Sequence, residues 1–373
     1  MNNAMGIIFA SIYDDHIGEL TNNRTMASLP YGGRYRQIDF PLSNMTNSGI
    51  RHIGIITKHN YQSLMNHIGS CQEWDLELEE GGLEFLTPFS LNHNGLYRGK
   101  LDAINSAMNF LSIAKEEYVV MADSSVLCAI DYRKAIEAHI ASGADVTIIA
   151  KDGITDGKRI VDLGFKTDDK GNLLDVVAET AAPSDYSASM GFFIMRRDKL
   201  MEAATRAVAH DRYHFERDLV LNWFNRDRSL VNVYKFEGVA LFNESLKEYY
   251  HNNLALLHPE IRHGLFSQPN LTIYTKVRDQ VPAYYGENSE IKNCIVADGS
   301  ALEGFAENSV FFRGVRLAEG AKVRNSIIMQ GTVIGEGAEL DYVILDKDIT
   351  VRPGKKLCGT LEHPIVLGRG EIV

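Results

Sequence analysis

The fragments "VADGSAL" (296–302), "LAEGAKV" (317–323), "IGEGAEL" (334–340) and "VRPGKKL" (351–357) align with one another without a gap. Their glycines, Gly299, Gly320, Gly337 and Gly354, stand 21, 17 and 17 residues apart. Apolar residues also return at every sixth position, as in Ile328, Ile334 and Leu340, or Leu317 and Val323. Three six-residue faces make one coil of about 18 residues, so this spacing predicts a parallel β-helix with small residues at its corners. Such a helix leaves flat faces and an open end that proteins bury by self-association, and oligomerisation is expected.

Upstream the pattern changes. Short apolar runs, "GIIFA" (6–10), "HIGIIT" (52–57), "EYVVMA" (117–122), "DVTIIA" (145–150) and "GFFIM" (191–195), alternate with amphipathic stretches over the first 250 residues. Runs that are continuously apolar suit strands covered on both faces, which predicts an α/β domain with a mixed, mainly parallel sheet and flanking helices. Between His258 and Tyr285, Pro259, Pro269 and Pro282 punctuate a stretch whose only apolar run is "LTIYTKV" (271–277). The chain therefore divides into a domain over 1–258, a linker over 259–284 and a repeat domain over 285–373.

Composition narrows the class. The 373 residues suit two domains, and no apolar run reaches the roughly 18 residues of a membrane span. Met1 to Phe9 lacks the basic flank of a signal peptide, so a cytoplasmic protein is expected. A formal net charge of −11 argues against a nucleic-acid binder. Cys71, Cys128, Cys294 and Cys358 are scattered, which reads as four reduced, mostly buried thiols rather than a zinc site or a disulfide framework. His59 and His67 have no third partner at ligand spacing, and no metal is assigned to them.

The stretch "LPYGGRYRQIDFPLSNMTNSGIRHIGIIT" (29–57) carries the most specific information. Gly32 and Gly33 permit a sharp turn or a close backbone approach, Arg34 and Arg36 alternate on an extended segment, and Asp39 could hold an arginine. On residue chemistry alone this is an anion site or a structural corner. The segment, set in an α/β domain followed by hexad repeats, resembles the glucose-1-phosphate adenylyltransferase (ADP-glucose pyrophosphorylase) family. Matches elsewhere are "YRGKLDAI" (97–104), "EYVVMADSSVLCAIDY" (117–132), "SASMGFF" (187–193), "HFERDLV" (214–220) and "FEGVALFNESLKEYYHNNLALL" (236–257). The resemblance implies a nucleotidyltransferase-like domain, a left-handed β-helix and chemistry that joins ATP to glucose 1-phosphate with release of pyrophosphate.

That chemistry depends on a glycine-rich phosphate loop, a lysine for the sugar phosphate and two aspartates for magnesium. This chain departs at each point. "GIIFASIYDDHIGELT" (6–21) runs from an apolar strand into Asp14 and Asp15 where bare backbone should meet phosphate. Aligned on Leu20-Thr21, the loop glycines fall on Ile12 and Asp14, the arginine on His16, and the lysine-proline pair on Met26-Ala27. The metal aspartates fall on Ser125 and Phe242, and the sugar-phosphate lysine on Thr180. Asp123, two residues out of register, is read as a turn residue, with a displaced metal ligand as the alternative. Lys100 replaces a small residue and is read as a surface charge.

By resemblance, the sequence looks like the second of two paralogous subunits that some bacteria carry, the D-type glycogen biosynthesis subunit, which lacks the catalytic residues. This implies a regulatory subunit with no cofactor of its own, joining a catalytic subunit in a hetero-oligomer, expected to be a tetramer, whose catalytic chains use Mg2+. It also implies a site for phosphorylated metabolites near Arg34, for which Arg36, Arg51 and Arg352 are further candidates. Gly99, Asp102, Glu179, Ser189 and Gly191 are expected to line a residual sugar-nucleotide pocket. Tyr35 and Phe40 read as core, as does the face of Phe215, Leu219 and Phe224 on a helix over 212–224. The rival readings are a divergent, weakly active nucleotidyltransferase with Asp102 or Asp123 recruited to metal, and a hexapeptide-repeat acyltransferase, which lacks the histidine it needs over 289–357.

Overall fold

The computed structural model describes residues 3–78, 81–88, 97–168 and 171–373. The strand Ala4–Phe9 lies at the centre of a nine-stranded sheet, parallel to His52–Ile56 on one side and to Tyr118–Asp123 on the other. All six of its residues are buried, and its two faces feed different cores. Met5, Ile7 and Phe9 pack with Leu101, Phe110 and Phe193, whereas Ala4 and Ile8 pack with Leu42, Ile53 and Phe192. Ser187–Arg196 runs antiparallel to Tyr118–Asp123 and joins the outer strands to the sheet. Carboxyl ends of parallel strands open toward ligands in such sheets, and the cavity described below lies there.

The second domain is the expected parallel β-helix, built of three five-stranded parallel sheets between Tyr284 and Leu367. One interior column runs Leu302, Leu317, Ile334 and Val351, and a second runs Ala306, Val323, Leu340 and Leu357. The sequence alignment of the coils needs one correction. Ala301 pairs with Arg316, and Arg316 with Val333, so the first coil is shorter than the next. Gly299 therefore shares its corner with Gly314 and Gly331, not with Gly320, Gly337 and Gly354, which turn a different corner. All six have positive φ, the conformation that makes a residue without Cβ preferable there.

The stretch between the domains is not a free tether. Pro259–Phe266 is a helix with proline at its start. After it, the amide of Tyr274 donates to Ser43 Oγ at 2.8 Å, Asn47 Nδ2 donates to Thr272 O at 2.9 Å and Lys276 Nζ to Asn66 O at 2.8 Å. A shared core crosses the boundary: Tyr31, Phe40, Tyr249 and Tyr250 pack with Phe312, Ile327 and Ile344 of the coils. Phe40 is core, as expected, and Tyr35 is half-buried against Phe266 with ring centroids 4.8 Å apart.

Two smaller expectations change. Residues 212–214 are not helical; Phe215–Leu221 forms a π-helical turn followed by the α-helix Asn222–Arg226, with Phe215, Leu219 and Phe224 buried as expected. The four cysteines are free, but only Cys71 and Cys128 are buried, Cys294 being half-buried and Cys358 exposed. Among the described residues no helix is long and apolar enough to cross a membrane.

Candidate functional site

A cavity of about 220 Å3 opens where the strand Ala4–Phe9 ends, lined by Ser11, Ile12, Tyr13, Gly99, Lys100, Asp162, Glu179 and Glu216 among others. Glycine brings the walls together. A Cβ on Gly99 would lie 2.2 Å from the carbonyl oxygen of Tyr213, to which the amide of Leu101 donates at 3.0 Å. A Cβ on Gly191, whose φ is +69°, would lie 2.3 Å from Asp123 Oδ2. Both positions need bare backbone because a neighbouring group occupies the Cβ volume.

Lys100 is not the surface charge that the sequence suggested. Its side chain is 8% exposed, and its ammonium donates to Asp123 Oδ2 at 2.9 Å and to Glu216 Oε1. Burial alone would lower its pKa, but Asp123 and Glu216 outweigh burial and hold the ammonium protonated, well above its ordinary range. Burial pushes the Asp123 carboxyl up, against the pull of Lys100. Beside them the Tyr13 hydroxyl donates to Asp162, and burial together with Glu244 and Asp162 holds the phenol well above its usual range.

The positions where phosphate and metal chemistry would sit have other occupants. The residues after the first strand fold into two short 3-10 turns, Asp14–His16 and Gly18–Thr21. Asp14 is buried, and its Oδ1 accepts the Met26 amide at 2.7 Å, so an internal carboxylate closes this loop. Burial raises the Asp14 pKa to about 6. Met26 is core, His16 lies exposed against the Tyr13 ring, and Ile12 lines the cavity wall. Thr180 is an exposed residue of the strand Leu173–Ala181.

Ser125, Ser189, Gly191 and Phe242 line a small adjoining cavity with Asp123 and Arg159. Arg159 covers the Phe242 ring at 5.2 Å and pairs with Glu244 at 2.7 Å and with Glu248 at 2.5 Å. These residues do not fit magnesium. Ser125 and Phe242 supply no anionic oxygen; of the Asp123 oxygens, Oδ2 faces the Lys100 ammonium and Oδ1 is buried without a partner, which leaves one free carboxylate oxygen, too few for a magnesium site. Among the described residues no group of three or more His, Cys, Asp or Glu side chains could hold a metal.

The other expected pocket residues separate. Glu179 lines the main cavity and pairs with Arg217 at 3.3 Å. Asp102 does not join it: its carboxylate accepts the Arg98 amide at 3.1 Å and the Arg98 Nε at 3.2 Å, which spends it at the start of the helix Lys100–Ser106. Both recruits of the divergent-enzyme reading, Asp102 and Asp123, are thus committed to cationic side chains.

A second pocket, of about 40 Å3, lies between the domains and is lined by Arg34, Arg36, His67, Lys276, Arg278, Arg313 and Lys347. Arg36 donates to Ser63 O at 2.7 Å, while Asp39 accepts its backbone amide at 2.8 Å and binds His67 Nε2 at 2.5 Å. Asp39 therefore orders this corner through the Arg36 main chain rather than its guanidinium. Arg313 is paired with Asp298, but among the described residues Arg34, Arg36, Lys276, Arg278 and Lys347 form no ion pair. Burial, with Arg36 and Arg24 nearby, lowers the Lys347 pKa to about 7. Arg51 and Arg352 lie elsewhere: Arg51 pairs with Asp75, and the Arg352 amide bonds Val373 O at the last coil. Lys276, Arg278, Arg313 and Lys347 carry no motif, and only folding gathers them. Lys100 and Glu216 did carry a signal, a cation gained in the same segment set that lost its metal ligands.

A sheet with its cavity at the strand ends, followed by hexapeptide coils, defines a nucleotidyltransferase architecture with a β-helix domain. The nucleotidyl transferase family matches residues 6–222, and a GlmU-like C-terminal hexapeptide family matches 280–363. The glycogen biosynthesis protein GlgD of Bacillus subtilis is 32% identical over 371 residues, covering 99% of this chain and 96% of that protein. Glucose-1-phosphate adenylyltransferases of Pseudothermotoga lettingae and Thermotoga maritima are each 29% identical, covering 87% of this chain and 77% of theirs. The chain belongs to the glucose-1-phosphate adenylyltransferase family of nucleotidyl transferases, on the branch of the glycogen biosynthesis protein GlgD.

Proposed function

We propose that this chain is a non-catalytic, activating subunit of a glucose-1-phosphate adenylyltransferase in glycogen biosynthesis, working in the cytoplasm in a hetero-oligomer with a catalytic subunit that supplies the Mg2+-dependent chemistry. The observation that carries this reading is the joint replacement of the reactive positions: Asp14 closes the phosphate loop, Phe242 lies under Arg159, and Lys100 occupies the carboxylates of Asp123 and Glu216. Groups that act as a unit in catalysis fail together, so a scaffold lacking all of them is not a slow enzyme with one defect.

What such a subunit contributes is a coupling free energy. Contacts made only with the active conformation of the partner shift its population, and an anion held between the domains would bias those contacts. Arg34, Arg36, Lys276, Arg278 and Lys347, basic groups that form no ion pair among the described residues, support a phosphorylated metabolite as that anion.

The test is pyrophosphate release from ATP and glucose 1-phosphate with magnesium, measured for this chain, for a catalytic subunit from the same cell, and for their mixture. Silence alone combined with enhancement or an altered effector response in the mixture supports the proposal. Steady turnover by this chain alone refutes it.

A further inference from the structure

Three separate elements deliver charge to one nitrogen atom. The helix start after Gly99 brings Lys100, the end of the strand Tyr118–Asp123 brings Asp123, and the π-helical turn Phe215–Leu221 brings Glu216. Turns of this helical type are rare and often mark functional positions. The side chains of Asp123 and Glu216 are 2% and 10% exposed. The rings of Phe193 and Phe9 approach the Lys100 nitrogen at 5.2 and 5.7 Å, which leaves it little access to water. Two buried carboxylates sharing one partner cannot both ionise unless a cation stands between them.

We infer that the Lys100 ammonium is the resident cation of this site: it stands between Asp123 and Glu216 and neutralises them, so this carboxylate pair is held together without metal and excludes a divalent ion. A divalent ion held by one or two carboxylates and water is an ordinary arrangement for Mg2+ or Mn2+. To enter here it must displace an ammonium that would then remain buried without a partner, and a buried unpaired charge is strongly unfavourable. A tethered ammonium, unlike a bound ion, cannot be diluted or chelated away. The inference goes beyond the regulatory reading and holds whether or not the chain activates a partner.

The experiment is a Mn2+ titration of the full chain, followed by electron paramagnetic resonance and by thermal melting, for the wild type, Lys100→Ala and Lys100→Ala/Asp123→Asn. The wild type is expected to take up no Mn2+ and to melt at the same temperature with or without it. Lys100→Ala should melt lower in chelator, bind one Mn2+ and recover its melting temperature with it, and the double variant should lose that uptake. A wild type that binds one Mn2+, abolished by Asp123→Asn, overturns the inference, as does a folded Lys100→Ala indifferent to Mn2+. Should Lys100→Ala not fold in chelator, folding restored by Mn2+ supports the inference; failure to fold in either condition leaves the wild-type titration to decide it.

Discussion

Replacing Asp346 with alanine would expose how strongly the coils are fastened to the loop after the first strand. Asp346 is 2% exposed and pairs with Arg24, itself 5% exposed, while its other oxygen accepts the Lys347 amide at 2.7 Å. Arg24 Nη1 already lacks a partner, so the substitution leaves an entire guanidinium buried and uncompensated. Two charges about 4 Å apart at an effective dielectric of about 20 interact by about 4 kcal/mol. Breaking a buried pair by removing one member costs about 3–5 kcal/mol, the same size. With roughly 2.1 cal/mol/K of melting entropy per residue over 373 residues, a loss of about 4 kcal/mol lowers Tm by about 5 °C. The shared core of Tyr31, Phe40, Phe312 and Ile344 couples the two domains, and the loss is read on the transition in which the coils separate from the first domain. Thermal melting of Asp346→Ala, Arg24→Met, Asp346→Leu and Arg24→Met/Asp346→Leu is the assay, and the double variant should regain at least half of the loss. A drop below about 1 °C for Asp346→Ala, or single effects that simply add in the double variant, would refute the reasoning.

Two further outcomes follow from charge. Sulfate, which does not itself titrate near neutrality, should bind the interdomain pocket more tightly at about pH 6 than at about pH 8, because an anion favours the protonated form of Lys347. The groups facing that amine are Arg24, Arg34, Arg36, His67, Lys276, Arg278, Arg313, Arg369 and the carboxylate of Asp346; calorimetry on Lys347→Met should show about tenfold weaker binding and a flat pH profile, and an unchanged ratio between the two pH values would contradict this. Asp14 has a folded pKa raised above its unfolded value, so its favourable contribution is complete below about pH 4 and is lost as pH rises through about 6. Asp14→Asn, whose carbonyl can still accept the Met26 amide, should therefore gain ~1–3 kcal/mol over the wild type at pH 8 relative to pH 4 in denaturation experiments, and parallel pH profiles would count against it.

The coils were legible because their period is local: a column such as Leu317, Ile334 and Val351 repeats within the reach of one alignment, whatever the rest of the chain does. The misplaced Gly299 shows where that method weakens, since a coil two residues short puts a glycine at a different corner without spoiling the apparent match. The losses at Ser125, Phe242 and Met26 could be read by position, because each replaces one side chain by another. Lys100 could not be placed so easily. Whether a lysine points to water or into an acidic cavity depends on Glu216, 116 residues away, and on a π-helical turn that leaves no apolar signature of its own. Arg51 and Arg352 were grouped with Arg34 by charge alone, whereas Lys276 and Lys347 joined that pocket through packing between domains.

Three tyrosines give the domain boundary its meaning. Tyr31 donates to Asn252 O at 2.7 Å, Tyr249 to Pro30 O and Tyr250 to Asn325 O, so the helix Leu246–Ala255 rivets the turn near Gly32 to the coils. The boundary is a seam in the sequence but not in the folded matter. Severing the chain near residue 258 would strip Tyr250 and Leu256 of their cover and leave greasy surface on both pieces. The coils are therefore no interchangeable cassette: swapping them for those of another hexapeptide protein would require the donor to place a carbonyl opposite the Tyr250 phenol and a matching carboxylate for Arg24.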